Sequence, residues 1–334
     1  MNKDRRLALY SLAHFWVDLS CAFLVYRTLL VAEELALCLL FYNFCAFALQ
    51  MPLGLIADRL NHNGRVAAIG CLLTASAYLC PLPLLTATIA GVGNALFHLG
   101  GGIDVLNDAQ KKAAALGIFV SPGALGLFIG TAWGQSTTTA LWVAPLGLIL
   151  LAAVILRYAG GPSGNAPLDP TPIRDYKPLL PLFLVVVLRS YMGMNQSFPW
   201  KGTGAWALIL TLALVSGKTA GGFLMDRLDP RKASALSLLL SAILYLFCDY
   251  PICGTLAVFL FNMTMPITLW AAAKVMPGAK GFAFGLLTFG LFLGYIPTWL
   301  GWPSLLNSPI AYALMAVVSL LLLWWPLGRE EMKW

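Results

Sequence analysis

Charge is what this sequence has least of. Asp, Glu, Lys and Arg make up 10% of its 334 residues and hydrophobic side chains 60%, where a soluble domain carries about a quarter charged residues. With a mean hydropathy of +0.81, a water-soluble fold is excluded. The charge that is present leans basic, at +7. Lys and Arg are dispersed over alternate connections instead of being gathered into a patch, which argues against a nucleic-acid surface. Histidine is rare, at three residues, and the seven Cys include no Cys-x-x-Cys and none with a His at ligand spacing. No metal and no disulfide framework are therefore expected, and the thiols read as packing. Gly-x-x-x-x-Gly-Lys-Ser/Thr, Gly-x-Ser-x-Gly and His-Glu-x-x-His are all missing. Those absences argue against an enzyme and against an ATP-driven pump, and no cofactor is expected. Energy would come from an ion gradient or from the substrate's own.

What the chain has instead is a series of apolar runs of helix length, twelve in all, from 7–28 to 308–326. At about twenty residues per crossing they use most of the sequence, which reads as an all-α membrane protein with twelve transmembrane helices. Near-copies of one stretch stand half a chain apart, Gly54-Leu55-Ile56-Ala57-Asp58-Arg59-Leu60 and Gly222-Phe223-Leu224-Met225-Asp226-Arg227-Leu228. The same offset pairs Asn94 with Asn262, Gly117 with Gly285 and Gly126 with Gly294. Repeats of this size predict two pseudo-symmetric bundles with a substrate site where they meet. The Gly- and Pro-rich segment 159–178 is the expected cytoplasmic linker, between an N-terminal bundle at 1–158 and a C-terminal bundle at 179–334. Most Lys and Arg then lie on the cytoplasmic side, with both termini there. The basic start is expected to remain as part of the first span, because His14 and Asp18 interrupt its apolar run and no small-x-small cleavage site follows.

A few polar groups break the apolar runs at helical spacing. His14 and Asp18 share a face of the first span, where two ionisable groups need a reason. A carboxylate at that depth can take up and release a proton while an imidazole pairs with it, so Asp18, His14 and His98 are the expected proton-coupling residues. A His–Asp pair that only fixes helix packing is the plainer alternative. Asn94 and His98 repeat the spacing in span four, either to bond a polar substrate or to satisfy a neighbouring helix backbone. Arg189, in mid-span seven, suits an anionic substrate group, a pairing with Asp18, or a latch between bundles. The expected substrate-binding set is Asn94, Arg189, Tyr191, Asn195, Asn262 and Trp270. Asp104 and Asp108, beside Lys111 and Lys112, read as a solvated face. Glycines at four-residue spacing in spans five, eight and eleven read either as static packing or as a sliding bundle interface.

Gly54-x-x-x-Asp58-Arg59, echoed by Gly222-x-x-x-Asp226-Arg227, resembles the signature loop of the major facilitator superfamily. The resemblance covers both halves. It implies two six-helix bundles, with spans one, four, seven and ten lining a cavity. Ala13-His14-Phe15-Trp16-Val17-Asp18, Gly93-Asn94-Ala95-Leu96-Phe97-His98 and Leu188-Arg189-Ser190 are similar to the fosmidomycin-resistance branch, and Ser121-Pro122-Gly123 loosely to an antiporter motif. That branch implies proton-driven export, although Leu99-Gly100-Gly101 stands where it has Pro-Glu-Gly. The expected function is a monomeric inner-membrane secondary active transporter of a small anionic or zwitterionic organic molecule, working by alternating access as a proton-coupled exporter. An importer or facilitator on the same fold, or a non-transporting assembly or sensor protein, is the alternative. Gly54, Asp58, Arg59, Arg65, Gly222, Asp226, Arg227 and Arg231 are the expected gating residues. Gly54 would let span two approach Gly281 and Gly285, setting Asp58 at the N-terminus of span eleven with Arg59 or Arg65 to orient it. Asp226 would do the same at span five, near Ala113.

Overall fold

The computed structural model describes residues 1–109, 112–136, 140–162, 175–302, 306–329 and 332, so most of the expected linker, with Lys111, Arg174 and Lys333, lies outside the described residues. Among those described, regular structure is entirely helical. The helical rods are α1 (Lys3–Arg27), α2 (Leu35–Leu60), α3 (Asn63–Ser76), α4 (Pro83–Ala109), α5 (Ala114–Gln135) and α6 (Val143–Ala159). They continue as α7 (Leu179–Asn195), α8 (Trp206–Arg227), α9 (Pro230–Tyr245), α10 (Pro251–Val275), α11 (Lys280–Trp299) and α12 (Pro309–Leu327). Each expected span coincides with one rod. Eight of them are long and apolar enough to cross a membrane; α6 and α7 are apolar but shorter. Large aliphatic side chains such as Leu146, Leu150, Leu314 and Leu321 face outward, as they do where the surroundings are hydrocarbon and the helix satisfies its own backbone.

Local chemistry sets where the rods start, break and stop. Asp229 caps α9, its carboxylate accepting from the N–H groups of Arg231 and Lys232, with Pro230 at the first turn. Ser308 and Pro309 start α12 in the same manner. The α2 rod carries a π turn at Phe44–Ala48, closed by Leu49 N–H on the Phe44 carbonyl, and ends at Asn61 in the left-handed region with φ 49°. Asn is among the few side chains that tolerate that conformation. Rod α5 is interrupted at Ser121, because Pro122 has no N–H to donate and disfavours helical geometry in the residue before it. Rod α10 breaks at Met263, since Pro266 cannot donate to the Asn262 carbonyl.

The chain forms two compact units. The first comprises 1–108, 122–171 and 278–289; the second comprises 109–121, 172–277 and 290–334. Rods α5 and α11 are therefore each divided, α5 at its proline break.

Inside the first unit the glycine face of α5 lies on α1. A Cβ on Gly126 would stand 2.2 Å from the Phe15 carbonyl oxygen, and one on Gly130 2.2 Å from that of Leu19. In the second unit Gly217 and Gly221 set α8 equally close to the Phe259 and Met263 carbonyls of α10. These stripes are packing surfaces within a unit. Bare backbones approach where lipid supplies no hydrophobic drive between helices. The seven thiols are free and five of them are buried.

The solvated face expected at Asp104 is a buried network instead. Asp104 is 4% exposed, accepting the Tyr10 hydroxyl at 2.8 Å and the Asn63 amide at 2.9 Å, so that α1, α3 and α4 share one carboxylate. Asp108 takes both arms of the Arg6 guanidinium, at 2.7 and 2.5 Å. Tyr10 and Asn63 stand far from Asp104 in sequence, so the pairing leaves no local signal.

Candidate functional site: a His–Asp–His cluster and a buried arginine

Two helices of the first unit each bring two polar side chains to one place, because residues four apart on a helix share a face. From α1 come His14 and Asp18; from α4 come Asn94 and His98. His14 Nε2 stands 3.2 Å from Asp18 Oδ2, and His98 Nε2 stands 3.6 Å from Asp18 Oδ1. The two Nε2 atoms are 2.9 Å apart, with the rings edge to face. Asn94 donates its amide to Asp18 Oδ1 at 3.0 Å. His14 and Asp18 are 6% and 8% exposed. A carboxylate so placed, with two imidazoles and an amide around it, can hold or pass a proton without facing hydrocarbon alone.

Gly123 of α5 lines this cluster. A Cβ there would fall 2.3 Å from both Asp18 Oδ2 and His14 Nε2, so a larger residue would have to displace the cluster. Ser121-Pro122-Gly123 was legible as an antiporter-like motif, but its place against His14 and Asp18 was not. Trp16 is held by its indole N–H on the Ala144 carbonyl of α6, at 3.0 Å.

Among the described residues, the second unit buries one cation. Arg189 of α7 is 8% exposed; its Nη2 donates to Thr264 Oγ1 at 2.6 Å and reaches Thr268 Oγ1 at 3.5 Å, while Nε has no partner. The ion pairs among the described residues do not include it. Within its unit Arg189 is engaged by two hydroxyls, and within the other Asp18 is engaged by His14, His98 and Asn94. Thr264 and Thr268 do carry a sequence signal, two hydroxyls four apart just past a helix break.

The other expected substrate residues are scattered in character. Asn262 donates to Val258 of its own helix at 2.8 Å, the backbone-satisfying alternative. Asn195 bonds Tyr191 O at 2.9 Å and Thr298 Oγ1 at 3.0 Å, and Tyr191 is half-buried. Trp270 is buried, with the Lys274 ammonium 5.3 Å from its ring centre.

The duplicated stretch makes the same construction twice. Asp58 accepts the N–H groups of Gly281 and Phe282, at 2.8 and 3.0 Å, in the first turn of α11. Asp226 accepts those of Ala113 and Ala114, at 2.6 and 3.2 Å, where α5 starts. Close contact of Gly54 with Gly281, and of Gly222 with Ala113, lets the carboxylates reach. Each acid satisfies two of the donors a helix start leaves open and meets its positive end. The basic residues behave otherwise than expected. Arg59 and Arg227 are exposed. Arg65 donates to Gly160 O at 2.9 Å, at the end of α6, and Arg231 donates to Trp324 O at 3.0 Å, near the end of α12. These two close helix ends, where cations are favoured, and Arg65 is thereby engaged away from Asp58, which it was expected to orient.

No family model matches the chain, and no curated protein does. Solved structures do. The Escherichia coli fucose:proton symporter FucP, as a single-residue variant, is similar with a TM-score of 0.67 and 15% identity, over 97% of this chain and 98% of that one. FucP in the outward conformation, described as a major facilitator superfamily transporter, gives a TM-score of 0.70 at 15% identity over 96% and 98%. A bacterial homologue of the iron transporter ferroportin, in an outward-facing state, gives 0.62 at 14% identity over 98% of both chains. The chain has the fold of the major facilitator superfamily transporters.

Proposed function

We propose that the protein is a secondary active transporter of a small organic molecule, with twelve membrane crossings in two six-helix bundles, residues 1–158 and 179–334, joined by 159–178. It works by alternating access as a monomer in the inner membrane, with both termini cytoplasmic. The observation that carries the reading is the His14–Asp18–His98 cluster, an ionisable group built into apolar helices of a transporter fold, where such groups are costly without a function. Asp18 is the proton carrier, and His14 and His98 its partners. Export is the direction favoured by the likeness of the α1, α4 and α7 stretches to the fosmidomycin-resistance branch.

Arg189 reads an anionic group of the substrate, supported by its burial with hydroxyl partners and an unpartnered Nε. Asn94, Tyr191, Asn195, Asn262 and Trp270 complete the proposed substrate set. Gly54 with Asp58, and Gly222 with Asp226, gate the transition by seating carboxylates on helix starts that must part when the cytoplasmic side opens. Import coupled to protons is a second reading, favoured by the likeness to a protein named a fucose:proton symporter.

The test begins with a thermal-shift screen of small organic anions and zwitterions on the purified protein, since a true ligand stabilises by mass action. A hit is then followed into proteoliposomes with and without an imposed pH gradient. Transport indifferent to the gradient in the wild type would sink proton coupling, and substrate moving in the same direction as the protons would replace export by import.

A further inference from the structure

We propose that His14, Asp18 and His98 form a binding site for a divalent first-row transition-metal ion. Three ligand-bearing residues lie together, their donor atoms all within 4.8 Å of one another. The separations are 2.9 Å between the two Nε2 atoms, 3.2 Å from His14 Nε2 to Asp18 Oδ2 and 3.6 Å from His98 Nε2 to the other oxygen, Oδ1. Ligands at about 2.0–2.2 Å from a tetrahedral zinc lie roughly 3.3–3.5 Å from each other, so an ion fits among these atoms with shifts of a few tenths of an ångström.

The tautomer of His98 is already the one a metal needs. Its Nδ1 stands 2.9 Å from the Asn94 carbonyl oxygen, which only accepts, so the proton sits on Nδ1 and the Nε2 lone pair faces His14 and Asp18. Metal-bound imidazoles have this outer partner as a rule. Asn94 contributes a second feature. It is 2% exposed, and its Oδ1 has no hydrogen-bond partner while Nδ2 serves Asp18. A half-turn of the amide exchanges the two ends and brings Oδ1 to Asp18 Oδ1, an oxygen-on-oxygen contact that a cation between them makes favourable. That supplies a fourth ligand and gives the unpartnered atom a use. Gly123 packs its bare backbone against the cluster, where a Cβ would stand 2.3 Å from two of the donor atoms.

Two imidazoles with a carboxylate select zinc, iron, cobalt or nickel over magnesium and calcium, which take oxygen shells. The site rests on the same residues as the proposed proton carrier, because metal and proton compete for the same lone pairs, but it does not require transport.

The test uses the full-length protein, purified in detergent and stripped with a chelator, titrated with Co²⁺ and followed by visible absorption, with Zn²⁺ as competitor. The expected result is one Co²⁺ per chain in a four-coordinate nitrogen and oxygen site without thiolate absorption, displaced by Zn²⁺. His14→Gln and His98→Gln should each weaken binding by more than about a hundredfold, beyond the loss seen for outer partners. His62→Gln, at the third histidine and outside the cluster, should leave it unchanged. Each variant is first checked for helicity and monodisperse elution; should His14→Gln misfold, His98→Gln decides. Absence of saturable one-to-one uptake, or uptake unchanged in His98→Gln, overturns the site. Failure here with pH-driven transport intact removes the metal alone. Cobalt binding in a protein whose transport ignores both the pH gradient and Asp18→Asn removes the proton reading and leaves the metal site standing.

Discussion

The two units bury charge in opposite ways. In the first, one carboxylate is surrounded by two imidazoles and an amide, and a few residues further along the same helices Asp104 and Asp108 are each fully engaged. In the second, Arg189 is held by hydroxyls, with a guanidinium N–H left over. In the proposed cycle and metal site, a network whose members complete one another changes state by moving protons or exchanging a cation within it. A lone cation among neutral groups has an unmet demand, and what meets it must come from outside the side chains around it. In the proposed function the first place couples and the second reads substrate, and substitutions at the two should have opposite signs.

The largest effect is expected at Asp18. Asp18→Asn should abolish proton-driven transport, because an amide cannot titrate, and should also lower stability by about 1.5–3 kcal/mol through the loss of charge-assisted hydrogen bonds. Liposome transport under a pH gradient and a melting curve read the two parts. Wild-type transport by this variant would move the carrier elsewhere in the cluster.

Gly123→Ala comes next. Its added methyl has no room beside Asp18 Oδ2 and His14 Nε2, and overpacking of this kind costs about 1–3 kcal/mol. Transport should fall with Asn94 and Arg189 untouched; a variant as stable and active as the wild type would show that α5 yields at this point.

At Arg189 the sign should reverse. Arg189→Gln removes an uncompensated buried charge while keeping a donor for Thr264, so the ligand-free protein should melt no lower than the wild type. Exchanging a buried charge without a counter-ion for a neutral amide removes its desolvation cost. Binding of an anionic substrate should weaken at every pH, with a neutral analogue unaffected. A lower melting temperature together with unchanged anion binding would establish the arginine as a latch.

What could be read from sequence and what could not follows the same division. The rods were legible because apolar runs of helix length and a half-chain repeat do not depend on tertiary contacts. His14 with Asp18, and Asn94 with His98, were legible because a four-residue spacing puts each pair on one face. Spacing alone does not join the two pairs across α1 and α4, and the expected set of Asp18, His14 and His98 was one for protons, without a metal. Asp104 misleads for the same reason: next to Lys111 and Lys112 in sequence it looks solvated, whereas Tyr10 and Asn63 reach it from other helices. Arg65 and Arg231 belong to helix ends far along the chain, and only the fold reveals them.

The smallest expected effect lies where the two halves of the sequence behave alike. Asp58 and Asp226 each accept two backbone N–H groups at a helix start, and an anion there gains about 0.3–1 kcal/mol from the helix dipole. An asparagine keeps an acceptor and loses the charge, so each substitution should cost about that much, and more only where the carboxylate is partly buried. In the proposed cycle these contacts form when the cytoplasmic side is closed, so their loss shifts the population toward the inward-open state by their sum and no further. A pair worth about 0.6–2 kcal/mol in total changes the ratio of states by roughly three- to thirtyfold. Asp58→Asn with Asp226→Asn in a Cys-free background should therefore speed labelling of a cytoplasmic-side cysteine probe and slow that of an outer one, with each single variant giving part of the shift. A shift carried wholly by one acid would break the equivalence of the two copies. Unchanged labelling on both sides would reduce them to helix caps.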